Sequence, residues 1–410
     1  MTSRRWPGGG DFWVRLTRDG FPFMPWPGKD PLRRLRHLTR QALFAHHSSW
    51  RRRLLRAAMI LAWPVGAAWE AGRYLSRTPE ADRPASPWGW ISRAGHMLAL
   101  AWIDNVPPRN YVMYRLHDPA RRSRIEACFY GGEILTLTFH LNRLNGAVGE
   151  DVEDKARFAE LCRAAGLSCI PTLALFRDGA QSFPPQPFLP GEPDLWVKDL
   201  AGSRGSGAAR WIREGETFRH AWNGVSCSPS ELVALWRERD CIVQPTLDNH
   251  PSLAPLSDGF LVVFRVVTGI GRDGRVTVID ALAQFPSGGQ SACFIYAAVS
   301  PEGEVRSPRL RGSEPITHHP DTGRSLTGTT IPFWRDALDL TLRAHGRVPE
   351  FSRFVFLGWD VAITEEGPLL IETNAGWGAV NHQLGDGMPL GLTALPAIAL
   401  DHLEGGLRCG

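Results

Sequence analysis

The stretch Gly358-Trp359-Asp360-Val361-Ala362-Ile363-Thr364-Glu365-Glu366-Gly367-Pro368-Leu369-Leu370-Ile371-Glu372-Thr373-Asn374 decides how this chain is read. Two apolar runs flank Glu365-Glu366-Gly367, which predicts a β-hairpin turning at those three residues. Folding it back brings Asp360 on the first strand near Glu372 on the second. Residues two apart on a strand point the same way, so Glu372 and Asn374 share a face while Ile371 and Thr373 look away from it. A solvated hairpin with ordinary surface acids is the plain alternative, but acids set among apolar residues are costly unless paired or bound to metal. Hard oxygen donors of this kind suit Mg²⁺, which keeps waters and is shared between a few carboxylates and a substrate phosphate.

Working outward, the second informative stretch lies upstream. Only three of the 46 basic side chains are lysine: Lys29, Lys155 and Lys198. An ammonium is a compact charge that reaches one phosphate oxygen, whereas guanidinium is a wide fork that needs two. Lys198 lies in the strand-like run Leu195-Trp196-Val197-Lys198-Asp199, just before Ala201-Gly202-Ser203-Arg204-Gly205-Ser206-Gly207. Backbone N–H groups of such a loop form an anion-binding concavity. It is not a P-loop, because the lysine precedes the glycines and no G-x-x-x-x-G-K-[ST] occurs. Nor do Gly202, Gly205 and Gly207 keep the spacing of a dinucleotide-binding turn. With so few lysines, chance placement is the competing reading.

At 410 residues and 43% hydrophobic composition the chain can bury a large core and is expected to form two or three domains. The periodicity is mixed α+β. Helix is expected, with breaks, from about Leu32 to Leu75, then over Asp151–Ala165 with Gly166 as C-cap, Ser228–Arg239 capped by Ser228 or Ser230, and Ile331–His345. Strands are expected at Ala127–Tyr130, Ile134–Phe139, Ile170–Leu175, Ala209–Ile212, Cys241–Pro245, Leu261–Thr268, Arg275–Leu282, Cys293–Ala298, Val355–Ile363 and Pro368–Glu372. These elements divide as a basic, mainly helical region over 1–95, a lobe over 96–190 and a nucleotide- and metal-binding region over 191–405.

The formal charge of +4 hides an asymmetry, since residues 1–80 carry fifteen Lys or Arg against five Asp or Glu. Beside the tract Arg51-Arg52-Arg53-Leu54-Leu55-Arg56 runs the apolar segment Ala57–Trp69, too short to span a bilayer and broken by Pro64 and Gly66. It reads either as a helix packing on the domain behind it or as a segment lying on an anionic membrane surface. Nucleic acid is not an expected partner, because the basic cluster lacks a binding motif or a stacking platform. Seven scattered cysteines without a C-x-x-C pair suggest neither a zinc site nor a disulfide framework. With no secretory signal, a cytoplasmic chain is expected, peripheral at the inner face of the membrane if the basic segment meets lipid.

A lysine before a Gly-rich loop, followed far downstream by Asp and then by Glu-x-Asn on a neighbouring strand, resembles the ATP-grasp superfamily. Asp154-Lys155 opening a helix that runs to Gly166-Leu167, and the hinge-like strand Cys241-Ile242-Val243-Gln244-Pro245, add to it. More narrowly, Gln244-Pro245-Thr246-Leu247-Asp248-Asn249-His250-Pro251, Arg265-Val266-Val267-Thr268, His319-Pro320-Asp321-Thr322-Gly323 and Gly358-Trp359-Asp360 are similar to the sugar-transfer-associated ATP-grasp proteins, which are akin to α-L-glutamate ligases. The resemblance covers roughly residues 100 to 395. It implies two α+β subdomains gripping ATP, with the basic N-terminal part as an extension. Lys155 and Lys198 would contact phosphates and the adenine side, Gly202, Ser203, Gly205 and Gly207 would close over the phosphates, and backbone at Val243 and Gln244 would meet the adenine edge. Asp248 would contact the ribose. Asp360, Glu372 and Asn374 would hold Mg²⁺, or Mn²⁺ in its place. Related ligases often carry an arginine shortly before the first metal Asp; Gly358-Trp359 stands there instead, leaving Arg265 or Arg309 as the cation at the transferred phosphoryl group.

The resemblance implies an ATP-dependent ligase that phosphorylates a carboxylate and lets an amine or sugar acceptor attack the acylphosphate, on a cell-envelope or polysaccharide precursor. Phosphoryl transfer needs charge neutralisation and in-line positioning more than covalent chemistry, so Lys198 and Arg265 serve it without a nucleophilic Ser or Cys. His318 and His319 beside Asp321 fit a base or acceptor contact, or a plain polar surface loop. A kinase-like phosphotransferase, and a non-catalytic ATP-binding partner of a glycosyltransferase system docked through the basic N-terminus, are the competing readings.

Overall fold

The computed structural model describes residues 30–45, 50–76, 83–130, 132–191, 194–200, 207–288, 293–310, 315–384 and 388–408. Lys29, Gly202, Ser203 and Gly205 lie outside the described residues. The strands form two antiparallel sheets. The first comprises β1 (Ala174–Arg177), β2 (Ala180–Phe183), β3 (Leu195–Asp199), β4 (Ala209–Glu214), β5 (Thr217–His220), β6 (Ser226–Cys227) and β7 (Cys241–Pro245), in the order β2-β1-β7-β3-β4-β5-β6. The second comprises β8 (Val263–Ile270), β9 (Val276–Ser287), β10 (Cys293–Val299), β11 (Val305–Leu310), β12 (Phe356–Thr364) and β13 (Gly367–Asn374), ordered β11-β10-β9-β8-β12-β13. The main helices are α1 (Pro31–Ala45), α2 (Trp50–Leu75), α3 (Pro87–Ile103), α4 (Glu133–Leu144), α5 (Lys155–Ala164), α6 (Pro229–Arg237), α7 (Trp334–Arg347) and α8 (Leu395–Arg408).

The second sheet is covered on both faces, which is why β12 is buried along nearly its whole length. One face, with Phe264, Val266, Phe285, Ile295 and Trp359, packs under α7 through Trp334, Ala337, Leu340 and Ala344. Beneath this layer Trp359 Nε1 donates to Thr268 Oγ1 at 2.7 Å, Thr268 pairs with His345 Nδ1 at 2.7 Å, and His345 Nε2 meets the Phe354 carbonyl at 2.8 Å. A buried polar chain in which each link has a partner costs little and fixes α7 on the sheet. On the other face Val267, Ile279 and Phe356 pack under α8, α1 and α4, with Leu395, Leu35 and Leu141 among the contacts. Arg36 on α1 donates to Glu133 at 2.6 Å in that buried layer.

The expected hairpin forms, with Asp360 opposite Glu372 and Gly358 opposite Asn374. The helix ending at Gly166 also forms: Gly166 has φ 64, and the Leu167 N–H closes back on Cys162 O at 2.9 Å. Ser228 caps α6 in a reciprocal capping box with Glu231. Two expected strands do not form. Ala127 ends a 3₁₀ turn, Ile125–Ala127, and Ile134–Phe139 lies inside α4. The run Ile-Leu-Thr-Leu-Thr-Phe alternates in sequence, but Ile134, Leu137, Thr138 and Leu141 are buried at helical spacing, and the ion pair to Arg36 holds Glu133 at the helix start. The strand expected over Ile170–Leu175 starts at Ala174 instead, beyond Pro171.

The segment Ser168–Ile170, which leads into β1, is bonded to the edge strand β13 at Leu370. The Leu370 N–H donates to Ser168 O at 3.0 Å and its carbonyl accepts from Ile170 N at 3.0 Å, so the edge of β13 is paired there. All six cysteines among the described residues are free thiols. No helix there is long and apolar enough to cross a membrane.

Candidate active site

Three neighbouring strands carry one row of charge. Arg265 on β8 stands opposite Asp360 on β12, which stands opposite Glu372 on β13. Directly opposed residues share a face, so the three side chains project together. Arg265 grips Asp360 with both Nε and Nη2, the latter 2.8 Å from Oδ2, and its Nη1 is 3.5 Å from the Trp377 carbonyl. Such a fork is held more rigidly than a lysine contact. Gly358, two residues before Asp360, has no room for a side chain: a Cβ there would lie 2.4 Å from Trp377 Cβ and 3.3 Å from Arg265 Cδ. Arg265 on the neighbouring strand β8 is thus the cation beside Asp360. Arg309 is buried on β11, three strands further along the sheet.

Lys198 lies on β3 of the other sheet, and Lys155 opens α5. Burial pulls the ammonium of Lys198 on β3 down, with Lys155 adding to the effect and Glu372 and Asp360 opposing it. Burial pushes the Glu372 carboxyl up, Asp360 adds to this, and Lys198 and Arg265 pull it back. Lys198 is thus coupled to the acid row, and Lys155 to Lys198. Lys155 opens α5 beneath the cap made by Asp154, whose Oδ1 accepts from Ala156 N and Arg157 N at 2.9 Å each. Both stems of the glycine-rich loop are also fixed. Arg239 Nη1 reaches Asp199 Oδ1 and the Gly207 carbonyl, each at 3.1 Å. Gly207 has φ 72, and a Cβ there would sit 1.6 Å from Asp199 Oδ2, so only glycine fits.

Other expected residues are placed less directly. Val243 and Gln244 lie on β7 beside Lys198's strand; the Val243 carbonyl already accepts from Leu173 N at 2.8 Å, and the buried Gln244 Oε1 has no hydrogen-bond partner. Asp248 is exposed beyond β7. His319 is buried and structural, its Nε2 2.8 Å from Pro286 O and its Nδ1 contacting the Asp321 and Thr322 amides, while His318 is exposed.

The segment after β13 holds residues that sequence reasoning missed. His382 Nδ1 pairs with Asp280 Oδ2 at 2.6 Å, its ring stands edge-on to Trp377 at 5.6 Å, and its buried Nε2 has no partner. Gln383 bonds the Phe129 amide and carbonyl, both at 2.9 Å, tying the segment to the chain just before α4. Neither link has a local signal, because each joins residues more than a hundred positions apart.

Among the described residues no trio of His, Cys, Asp and Glu is arranged to hold a metal. A cation site at the row therefore requires Asn374. Its buried Nδ2 has no partner, and an amide can be turned to present its oxygen instead. Burial and the neighbouring Asp360 push the Glu372 carboxyl up, a disfavoured charge that a cation would relieve. Asp360, Glu372 and Asn374 thus fit a hard divalent cation.

A family model described as sugar-transfer associated ATP-grasp matches residues 139–394. No curated protein matches the chain in sequence. Solved structures with similar folds include an L-amino acid ligase from Bacillus licheniformis, at 12% identity over 61% of this chain and 48% of that one, with a TM-score of 0.36. N5-carboxyaminoimidazole ribonucleotide synthetase from Thermus thermophilus aligns at 16% identity over 58% and 51%, with a TM-score of 0.33. A biotin carboxylase from Campylobacter jejuni aligns at 12% identity over 61% and 46%, with a TM-score of 0.34. The chain spans about half the length of these solved relatives. On the family match, which covers more than half of its residues and both arms of the charged cleft, the chain belongs to the sugar-transfer associated ATP-grasp family.

Proposed function

We propose that the protein uses ATP to activate a carboxylate as an acylphosphate and joins it to an amine or related acceptor, on a cell-envelope or polysaccharide precursor. The observation that carries this reading is the row Arg265–Asp360–Glu372 coupled to the buried Lys198, itself coupled to Lys155. A carboxylate oxygen attacks the γ-phosphorus, the bond to the β-phosphate oxygen breaks, and ADP leaves. The acceptor nitrogen then attacks the acyl carbon, phosphate departs, and the nitrogen gives up a proton. Both steps pass through extra negative charge on non-bridging oxygens, which is what fixed cations stabilise.

Lys155 and Lys198 donate to phosphate oxygens as point charges. Arg265, oriented by Asp360, holds the transferred phosphoryl group between its old and new partners. Mg²⁺, held by Asp360, Glu372 and Asn374, would neutralise the β- and γ-phosphates. Arg239 keeps the stems of the glycine-rich loop together so that its amides can close over the nucleotide.

Incubation with ATP, Mg²⁺ and pooled amino acids and amino sugars, followed by mass spectrometry, tests the reading. The expected product is an amide formed with release of ADP and phosphate. A phosphate ester would instead assign a kinase, and ATP binding without any new product would leave a non-catalytic partner.

A further inference from the structure

Half of the large apolar side chains left exposed among the described residues fall on α2 and α3. On α2 they are Trp50, Leu54, Leu61, Val65 and Trp69, separated by four, seven, four and four residues, with Leu61 80% and Val65 70% exposed. That spacing draws one stripe along the helix. The opposite stripe, Trp63, Ala67, Ala71 and Tyr74, is buried against the protein. Both readings of Ala57–Trp69 thus describe one helix: one face packs inward, and the other is apolar and turned outward.

The same pattern repeats on α3. Trp88, Ile91, Gly95, Ala99 and Trp102 follow one another at three, four, four and three residues and are all exposed, while Met97, Leu100 and Ala101 are buried. The two helices are bonded side by side, Trp63 Nε1 to Ala101 O at 2.9 Å and Trp102 Nε1 to Pro64 O at 3.1 Å. Trp102 therefore meets the α2 stripe next to Val65, and the two stripes make one surface. From residue 50 to 103 the sequence carries eight arginines against three acids, Glu70, Glu80 and Asp82, of which Glu70 is buried.

We propose that this helical pair docks flat on an anionic phospholipid surface. Tryptophans with an apolar ring and a polar edge settle at the headgroup level, and arginines alongside an apolar stripe add attraction to anionic lipid. Neither helix is long and apolar enough to cross a bilayer, so the pair lies in the interface. A second copy of the chain is a poorer occupant, since it would bring a second net-positive segment against this one.

The test is sedimentation of the full-length protein with phosphatidylcholine vesicles, with and without phosphatidylglycerol. Wild type should pellet only with phosphatidylglycerol and be released by salt. Leu61→Glu/Val65→Glu and, independently, Trp88→Ser/Ile91→Glu should each reduce pelleting about tenfold or more at unchanged melting temperature. Leu235→Glu, an exposed leucine on α6, should leave it as in wild type. Wild type that ignores phosphatidylglycerol, or stripe variants that pellet as well as wild type, would overturn the proposal. So would a dimer that Leu61→Glu/Val65→Glu splits without any lipid binding, which would give the surface to a second copy.

Discussion

Burial pulls the Lys198 ammonium down, and the opposing attraction of Glu372 and Asp360 acts on a single point charge. A wider guanidinium cannot reproduce that single-point contact, so Lys198→Arg and Lys155→Arg should each lower ATP turnover by about a hundredfold; rates like wild type from either would remove that lysine from the phosphate site. Glu372→Gln should abolish turnover and also the rise in melting temperature on adding Mg²⁺, and a retained shift would place the metal elsewhere. Two buried groups outside the cleft set opposite pH dependences. Glu70, with both carboxyl oxygens lacking a hydrogen-bond partner, is pushed up to about 7 by burial, Arg109 opposing. The folded chain therefore holds that proton more tightly than the unfolded one, and this share of stability is lost as pH rises from 4.5 to about 7. Glu70→Gln should stabilise the protein by about 3 kcal/mol near pH 8 and by little near pH 4, read from melting curves; the same gain at both pH values would contradict it. His345 runs the other way, pulled down to about 4 by burial, so its share is present at neutral pH and is lost as pH falls from 6.5 towards 4. Its ring resonances should report a neutral imidazole down to about pH 5, and titration near 6.5 would refute the assignment.

At the scale of elements, the tight approach of β12 to Trp377 has a direct consequence. Gly358→Ala should destabilise the protein by about 1–3 kcal/mol through overpacking, and it should lower turnover as well, because Trp377 and Arg265 must both shift to admit the methyl group. A fully active, equally stable variant would show that the strand can yield. Much of this architecture is legible in the letters. The β12–β13 hairpin is read correctly because its turn is bounded by strands whose alternation places Glu372 and Asn374 together. α5 is equally legible, since Asp154 and Gly166 mark its two ends. α4 misleads because threonines alternate with leucines over Ile134–Phe139, and only its packing against α1, some hundred residues upstream, selects the helical period. Within the cleft the acids and lysines announce themselves by residue type. Arg239 and the His382–Asp280 pair do not, because their roles come from partners brought near only by the fold.

At the scale of the whole molecule, Lys198 lies on one sheet and the acid row on the other, and the segment leading into β1 is bonded to β13 at Leu370. That stitch has a mechanical meaning. Ser168–Ile170 leads straight into the sheet bearing Lys198, and it is bonded to β13 two residues before Glu372. The contact is a fulcrum, with the lysine arm on one side and the acid on the other. A swing of the Lys198-bearing sheet would therefore pull on the strand that carries Glu372, coupling the position of the lysine to that of the acid row.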